Sequence, residues 1–263
     1  MMRIKMAYEF SKLEKKEKLW IITLNRPERM NALHSPAHFE LEKIFDDFSN
    51  DDDAWVAIIT GEGDRAFCAG NDLRYQAEGG KMERNNSGFA GLTSRFNLSK
   101  PLIAAVNGVA MGGGFEIALA CDLIIASENA KFALPEPKVG LAALAGGMHR
   151  LPRQIGLKRA MSMMLTGRTV SAEEGLNLGF VNEVTKIEEL MITAESWAKL
   201  ILDCSPTSIR TTKDVAMSGL AHADIEDAMS AKYESVNNLF KSEDFIEGPL
   251  AFSEKRKPNW TGK

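Results

Sequence analysis

Residues 100–127 read KPLIAAVNGVAMGGGFEIALACDLIIAS. The apolar run of 101–108 predicts a strand. Three glycines at 112–114 then open an Ala-rich apolar helix that reaches Asp122, and LIIAS (123–127) predicts the next strand. Strand, glycine turn, helix and strand in succession are the unit of an α/β fold. Working outward, LWIITLN (19–25) is a β-branched run stopped by Arg26-Pro27, and WVAIITG (55–61) is a fully apolar, buried strand. Between them Phe39, Leu41, Ile44, Phe45 and Phe48 recur at helical spacing over 36–50, with Pro36 in the first turn. The acidic run Asp51–Asp53 closes that helix as a solvated loop. Residues 76–100 are polar, with Gly79-Gly80 and Asn85-Asn86, and predict a loop or lid. KFALPEPKVG (131–140) passes from a short strand into a Gly-rich loop. Beyond 150 the pattern turns helical, with helices predicted over 156–166, 172–178, 187–203, 206–219 and 224–240. The expected organisation is an α/β core over 1–200 and a helical region over 201–263.

The chain has 263 residues, 44% hydrophobic and 26% charged, which is ordinary for a globular protein and excludes wholesale disorder. Its 32 basic and 36 acidic residues give a formal net charge of −4, no footprint for nucleic acid. No run approaches the ~20 apolar residues of a membrane helix. The three cysteines, Cys68, Cys121 and Cys204, are odd in number and form no CxxC pair. Together with an N-terminus that lacks a signal-type apolar stretch, they predict a reducing, cytoplasmic setting.

Three constellations bear on chemistry. Gly61-Glu62-Gly63-Asp64-Arg65-Ala66 matches the dinucleotide pattern G-x-G-x-x-A, but Phe67-Cys68-Ala69-Gly70 breaks a helix where that motif needs one, so a plain turn is expected. His34 and His38 share a helical spacing without a third ligand, and read as packed histidines. GxSxG and Walker A motifs are absent. The segments 67–73 (FCAGNDL) and 107–114 (NGVAMGGG) both end in small residues, and the second opens a helix whose free N–H groups favour negative charge. They serve either tight packing or an oxyanion hole, and spacing alone does not choose. Glu116, inside the apolar helix start, and Glu136, between Pro135 and Pro137, read by spacing as a helix-start charge and a turn residue. In apolar surroundings they would also suit acid/base chemistry near neutral pH.

Taken together, ITLNRPERMNAL (22–33), AFCAGNDL (66–73), the 100–122 stretch, KFALPEPKVGL (131–141), GGMHRLPRQIG (146–156), LTGRTVSAEEGLNLGFVNEV (165–184) and SEDFIEGPLAFSEKRKP (242–258) resemble the enoyl-CoA hydratase/isomerase (crotonase) family over essentially the whole chain. The resemblance implies an α/β, crotonase-like spiral of ββα units with a helical C-terminal trimerisation region, assembled as a homotrimer or homohexamer. It implies an acyl-CoA thioester substrate and no metal or other cofactor, CoA being part of the substrate. It assigns the oxyanion donors to the N–H groups of Asn71 and Gly113, and the acid/base pair to Glu116 and Glu136. CoA and acyl contacts fall to Arg26, Arg29, Met30, Ala66, Ala69, Asp72, Leu73 and Leu144. Two glutamates favour hydration of a 2-enoyl-CoA. The alternatives are a double-bond isomerase working mainly through Glu136 and a non-catalytic CoA-binding member. The resemblance departs at Ala143-Leu144, where family hydratases carry Pro-Gly. The pieces 88–101, 112–120, 132–140 and 247–263 are similar to the branch acting on carnitinyl-CoA and crotonobetainyl-CoA, for whose trimethylammonium group Tyr75, Phe89 and Phe96 would offer aromatic faces.

Overall fold

A computed structural model describes residues 3–83 and 85–263, with the backbone alone for 3–7. Residues 1–2 of the N-terminal segment and residue 84 of the expected lid lie outside it. The chain opens with β1 (Arg3–Ala7), β2 (Ser11–Lys16) and β3 (Leu19–Leu24), followed by α1 (Ser35–Asn50). Three turns of a spiral follow. The first is β4 (Val56–Gly61), β5 (Ala66–Cys68) and the short α2 (Leu73–Ala77). The second is β6 (Leu102–Val106), β7 (Val109–Met111) and α3 (Gly113–Ala120). The third is β8 (Leu123–Ser127) and β9 (Lys131–Ala133), leading to α4 (Gly147–Ile155) and α5 (Leu157–Thr166). Then come β10 (Val170–Ser171), α6 (Ala172–Leu178), β11 (Glu183–Thr185) and α7 (Leu190–Leu202). The last helices are α8 (Pro206–Gly219), α9 (Ile225–Ser230), α10 (Glu234–Lys241) and α11 (Glu243–Ser253).

The first strand of each turn enters one seven-stranded sheet, ordered β1-β2-β3-β4-β6-β8-β11. The second strand enters a four-stranded sheet, ordered β10-β9-β7-β5. Both run parallel through the spiral, β4–β6–β8 in one and β5–β7–β9 in the other. Strand alternation explains why β4 and β6 read as unbroken apolar runs, since successive side chains face opposite sides. Ile58, Ile103, Ala105 and Ile125 meet Leu190, Ala194 and Ala198 of α7. Ala57, Ile59, Ala104 and Val106 join Leu41, Ile44, Phe45 and Phe48 of α1 in the main core. Each fully buried Leu, Ile, Val or Phe among them contributes about 1.5–3 kcal/mol.

The expected strands and helices occur with two kinds of difference. The hairpin β1–β2 and the strands β10 and β11 had no apolar signature: β2 buries Ser11 and Leu13 but is otherwise lysine and glutamate, and β11 adds to the sheet through parallel pairing with β8. The helix expected over 224–240 is broken. Asp224 caps α9, Ala231 is extended (φ −64°, ψ 149°), and the Tyr233 hydroxyl donates to Ala228 O at 2.7 Å, which folds α10 into a separate helix. α4, which carries Pro152, and α11 were not expected as helices.

Candidate active site

The parallel pairing of β5 with β7, Ala66 opposite Val109 and Cys68 opposite Ala110, brings the two small-residue segments side by side. They touch at Gly70. Its φ is +92°, and a Cβ there would lie 2.7 Å from Met111 O and 3.1 Å from Gly113 N, so only glycine fits. Residue 71 forms a lone parallel bridge with Leu33, made by Leu33 N to Gly70 O and Asp72 N to Leu33 O, both 2.8 Å. In that pattern the flanking groups are used, and the N–H of Asn71 itself faces away from Leu33. Gly113 is the first residue of α3, where an N–H has no partner within the helix. The structure thus brings two unclaimed backbone donors to adjoining segments.

Glu116 lies in the first turn of α3 and is 3% exposed. Its Oε1 accepts from the Gly147 N–H at 2.8 Å. Burial pushes its carboxyl up to about 7; the charge of Glu136 adds to this, while the N–H groups of Gly147 and Ala145 and the charge of Arg150 oppose it. Glu136 starts a 3-10 turn (Glu136–Val139) and is also pushed up by burial. A Cβ on Gly112 would meet its Oε1 at 3.1 Å, and its Oε2 is buried with no protein partner. A buried acceptor left so forfeits ~1–3 kcal/mol unless something donates to it. The Glu136 carboxylate thus lies against Gly112, at the start of α3, Glu116 lies in the first turn of that helix, and burial raises both carboxyls above the usual range.

The residues expected to hold CoA also cluster. Arg26 pairs with buried Asp72 at 2.9 Å, and Asp72 accepts from Tyr75 N at 3.0 Å to cap α2. Ala69 N bonds Met30 O at 3.0 Å, and Met30 sits in the left-handed region (φ 54°) closing the 27–29 turn. A cavity of about 290 Å³ lies between these loops, lined by Pro27, Met30, Glu62, Arg65 and Ala66. The Arg29 Nη1 is buried without a partner, and Leu73 is 47% exposed. Leu144 is 73% exposed and does not fill the space beside Glu116. Ala143 is 5% exposed and lines that space, its Cβ 3.0 Å from a Cβ built on Gly147. A larger cavity of about 830 Å³ between α8, α9 and α10 is lined by none of these residues.

The three aromatic residues do not form one cage. Phe89 packs against Gly113 and edge-on to His38, Tyr75 packs on His34, and Phe96 lies exposed under the Arg150 guanidinium. His38 is a packed histidine whose Nδ1 accepts from Ala90 N at 3.0 Å, and burial pushes it down to about 4. Gly61–Ala66 is a turn between β4 and β5, with no helix after it. Two buried amides that brace the loops were not singled out for this role by the sequence, those of Asn31 and Asn107. Asn31 donates to Glu62 O and Ala66 O and accepts from Arg26 N, and Asn107 donates to Gly61 O and Gly63 O and accepts from Gly61 N, so both pin the loops around the cavity. Their only signal was an Asn beside a strand end, which reads equally as a turn residue.

The chain is thus a two-sheet ββα spiral in which Glu116 and Glu136 meet at the start of α3. The enoyl-CoA hydratase/isomerase family model matches residues 14–263, and the chain belongs to that family as an enzyme of the hydro-lyase type. It is 44% identical over 248 residues to a carnitinyl-CoA dehydratase of Escherichia coli K12, covering 92% of this chain and 94% of that one, and 42% identical over 248 residues, with the same coverage, to that of Proteus mirabilis. Among solved structures it superposes on an enoyl-CoA hydratase from Mycobacterium tuberculosis H37Rv with TM-score 0.91 at 36% identity, covering 97% of this chain and all of that one. An enoyl-CoA hydratase from Bacillus anthracis gives TM-score 0.88 at 32% identity over 97% of this chain and all of that one. Among the described residues no helix is long and apolar enough to cross a membrane.

Proposed function

We propose that the chain reversibly adds water, in syn fashion, to a 2-enoyl-CoA thioester, and that its acyl group is that of the carnitinyl-CoA/crotonobetainyl-CoA pair, after the curated relatives. The observation that carries this reading is the pair of pKa-raised glutamates, Glu116 and Glu136, flanking the Gly113 N–H. In the hydration direction the thioester oxygen accepts from the N–H groups of Asn71 and Gly113. Glu116 takes a proton from water as its oxygen bonds to Cβ. The C=C electrons move onto the thioester as an enolate, and Glu136 delivers a proton to Cα. Each step reverses for dehydration. One oxyanion donor is worth ~3–4 kcal/mol of barrier. Because both carboxylates face one reacting centre, they titrate as a pair.

CoA would lie along Arg26, Arg29 and Met30 on one side and Ala66, Ala69, Asp72 and Leu73 on the other, with Leu144 at the rim of the acyl site. No metal or further cofactor has a role in these steps. The 201–263 region would assemble the chain into a homotrimer or homohexamer, supported by exposed Ile246 (70%) and Phe252 (87%) on α11. We place the enzyme in the cytoplasm. The test is the loss of enoyl-thioester absorbance with crotonyl-CoA and crotonobetainyl-CoA in parallel, with products identified by mass. A water adduct is expected from both and faster turnover from crotonobetainyl-CoA. Binding of both esters with no adduct would overturn hydration and leave a double-bond shift through Glu136.

A further inference from the structure

Arg150 stands on α4 one turn past Gly146, and its backbone N–H bonds Gly146 O at 2.8 Å. Its side chain folds back over the same loop, so that a Cβ built on Gly146 would run into Nη1. The Gly146–Gly147 peptide beneath it is the one whose N–H donates to Glu116 Oε1. The other terminal nitrogen, Nη2, donates to Thr93 O at 2.8 Å. Thr93 is buried, its N–H bonds Phe89 O at 3.1 Å, and the Phe89 ring packs on Gly113. One guanidinium therefore reaches from the peptide that holds the carboxylate to the segment that walls the oxyanion donor.

The rest of that segment is fastened to α1, through Ala90 N to His38 Nδ1 and through Arg95 to Asp46 and Glu42 O. Gln154 ties α4 to α3 at Leu119 O, 3.2 Å. Among the described hydrogen bonds, that of Arg150 is the one joining α4 to the 88–98 segment. The planar guanidinium lets one end bond Thr93 O while the other lies over Gly146.

We propose that Arg150 is the positioning residue for Glu116, clamping the Gly146–Gly147 peptide onto the carboxylate, supplying its counter-charge and tying it through Thr93 to the wall of the oxyanion site. This rests on the reading of Glu116 as the base for water. The charged groups facing Glu116 are Glu136, from the turn after β9, and Arg150, from α4; the N–H groups of Gly147 and Ala145 complete its surroundings. Removal of the cation leaves burial and Glu136 opposed only by those N–H groups, so the carboxyl must titrate at higher pH. The Arg150 charge is the smallest of the influences on that carboxyl, so its removal raises the midpoint by about one pH unit at most.

The experiment compares Arg150→Gln and Arg150→Lys with the parent enzyme. The protonated-carboxyl infrared band of Glu116 is titrated in D₂O and assigned by its loss in Glu116→Gln. This readout needs no turnover, so a failed hydratase assay and a failed clamp are separate results. Expected for Arg150→Gln is a raised midpoint, by about one pH unit at most. The acidic limb of kcat/KM would move with it, and kcat would fall ~10–100-fold with little change in KM. Arg150→Lys keeps the midpoint near that of the parent and loses less rate. An unmoved midpoint in Arg150→Gln, or Lys and Gln variants that titrate alike, overturns the proposal. Should Arg150→Gln fail to fold, Arg150→Met removes the charge while keeping a side chain of similar length and leaving the Gly146–Gly147 backbone untouched. A raised midpoint there supports the clamp, and an unmoved one refutes it.

Discussion

Gly70→Ala is the most discriminating change at the seam between the two backbone donors. The added Cβ would stand 2.7 Å from Met111 O and 3.1 Å from Gly113 N, where ordinary contact begins at 3.4 Å. Neither neighbour is the free end of a side chain, so the backbone must give by several tenths of an ångström. The φ of +92° adds strain of about 1 kcal/mol for a residue with a Cβ. The stability loss, with strain and overpacking together, is expected to be ~2–4 kcal/mol. The catalytic loss follows separately, because the atoms that must move are Gly113 N and the peptide before it. An oxyanion donor removed outright is worth ~10²–10³ in kcat, and one displaced by this much should lower kcat ~10-fold at least. The assay is kcat for enoyl-thioester hydration well below the melting transition, beside Tm and the Kd of a non-reacting acyl-CoA. A folded Gly70→Ala enzyme with parental kcat would refute the claim that Gly113 N–H and the residue 70–71 backbone act on one oxygen. A rise in Kd with kcat unchanged would show loss of uniform binding instead.

Glu116→Gln and Glu136→Gln are each expected to lower kcat ~10²–10⁴-fold, the range for a lost acid/base group, and either variant with near-parental turnover removes that residue from the mechanism. Gly113→Pro deletes a donor at a first helical position that tolerates proline, but its ring would meet Phe89, so it belongs in a Phe89→Ala background. There it should abolish the turnover that Phe89→Ala alone retains; a folded and active double variant would reverse the oxyanion assignment. His38, held near 4 when folded, binds its proton more weakly than in the unfolded chain. Stability should therefore be unaffected above about pH 6.5 and fall between there and pH 4, by about 3 kcal/mol in all. Denaturant midpoints over that range should flatten in His38→Asn, which keeps an acceptor for Ala90 N–H; an equally steep fall in the variant would rule His38 out.

The apolar strands and the glycine-opened helix were legible because burial on both faces leaves a continuous hydrophobic run, as in Val56–Gly61 and Leu102–Val106. The hairpin of Arg3–Ala7 and Ser11–Lys16 was not, since one face carries lysines and its identity as a strand lies in partners across the ladder. The break at Ala231–Tyr233 is set by a tertiary choice, the Tyr233 hydroxyl on Ala228 O, which helical spacing cannot reveal. At the site, motif order pointed to Glu116, Glu136, Asn71 and Gly113, whereas Arg150 acts across 57 residues of sequence to Thr93 and carries no local signature. Leu144 illustrates the converse: its bulk was visible in the sequence, but its direction, 73% exposed, was decided by the loop.

Glu116 shows how the fold weighs two opposing tendencies at one helix start. A carboxylate in the first turn of a helix is favoured in its ionised form by the aligned peptide dipoles, by ~0.3–1 kcal/mol at the surface and up to ~2 when partly buried. The Gly147 N–H adds a charge-assisted bond in the same direction. Both would hold the carboxyl low. Yet it stands at about 7, raised from 4.5, which corresponds to about 3 kcal/mol favouring the neutral form after those terms have acted. Burial, helped by the charge of Glu136, therefore outweighs the N–H groups of Gly147 and Ala145 and the charge of Arg150 together. A more exposed glutamate at the same helix position would be a cap, fully ionised and too weak a base to accept water's proton. Burial beside Ala143 and Leu134 is what converts a helix-start charge into a group able to exchange a proton at neutral pH, and the backbone bond from Gly147 then fixes where that exchange occurs.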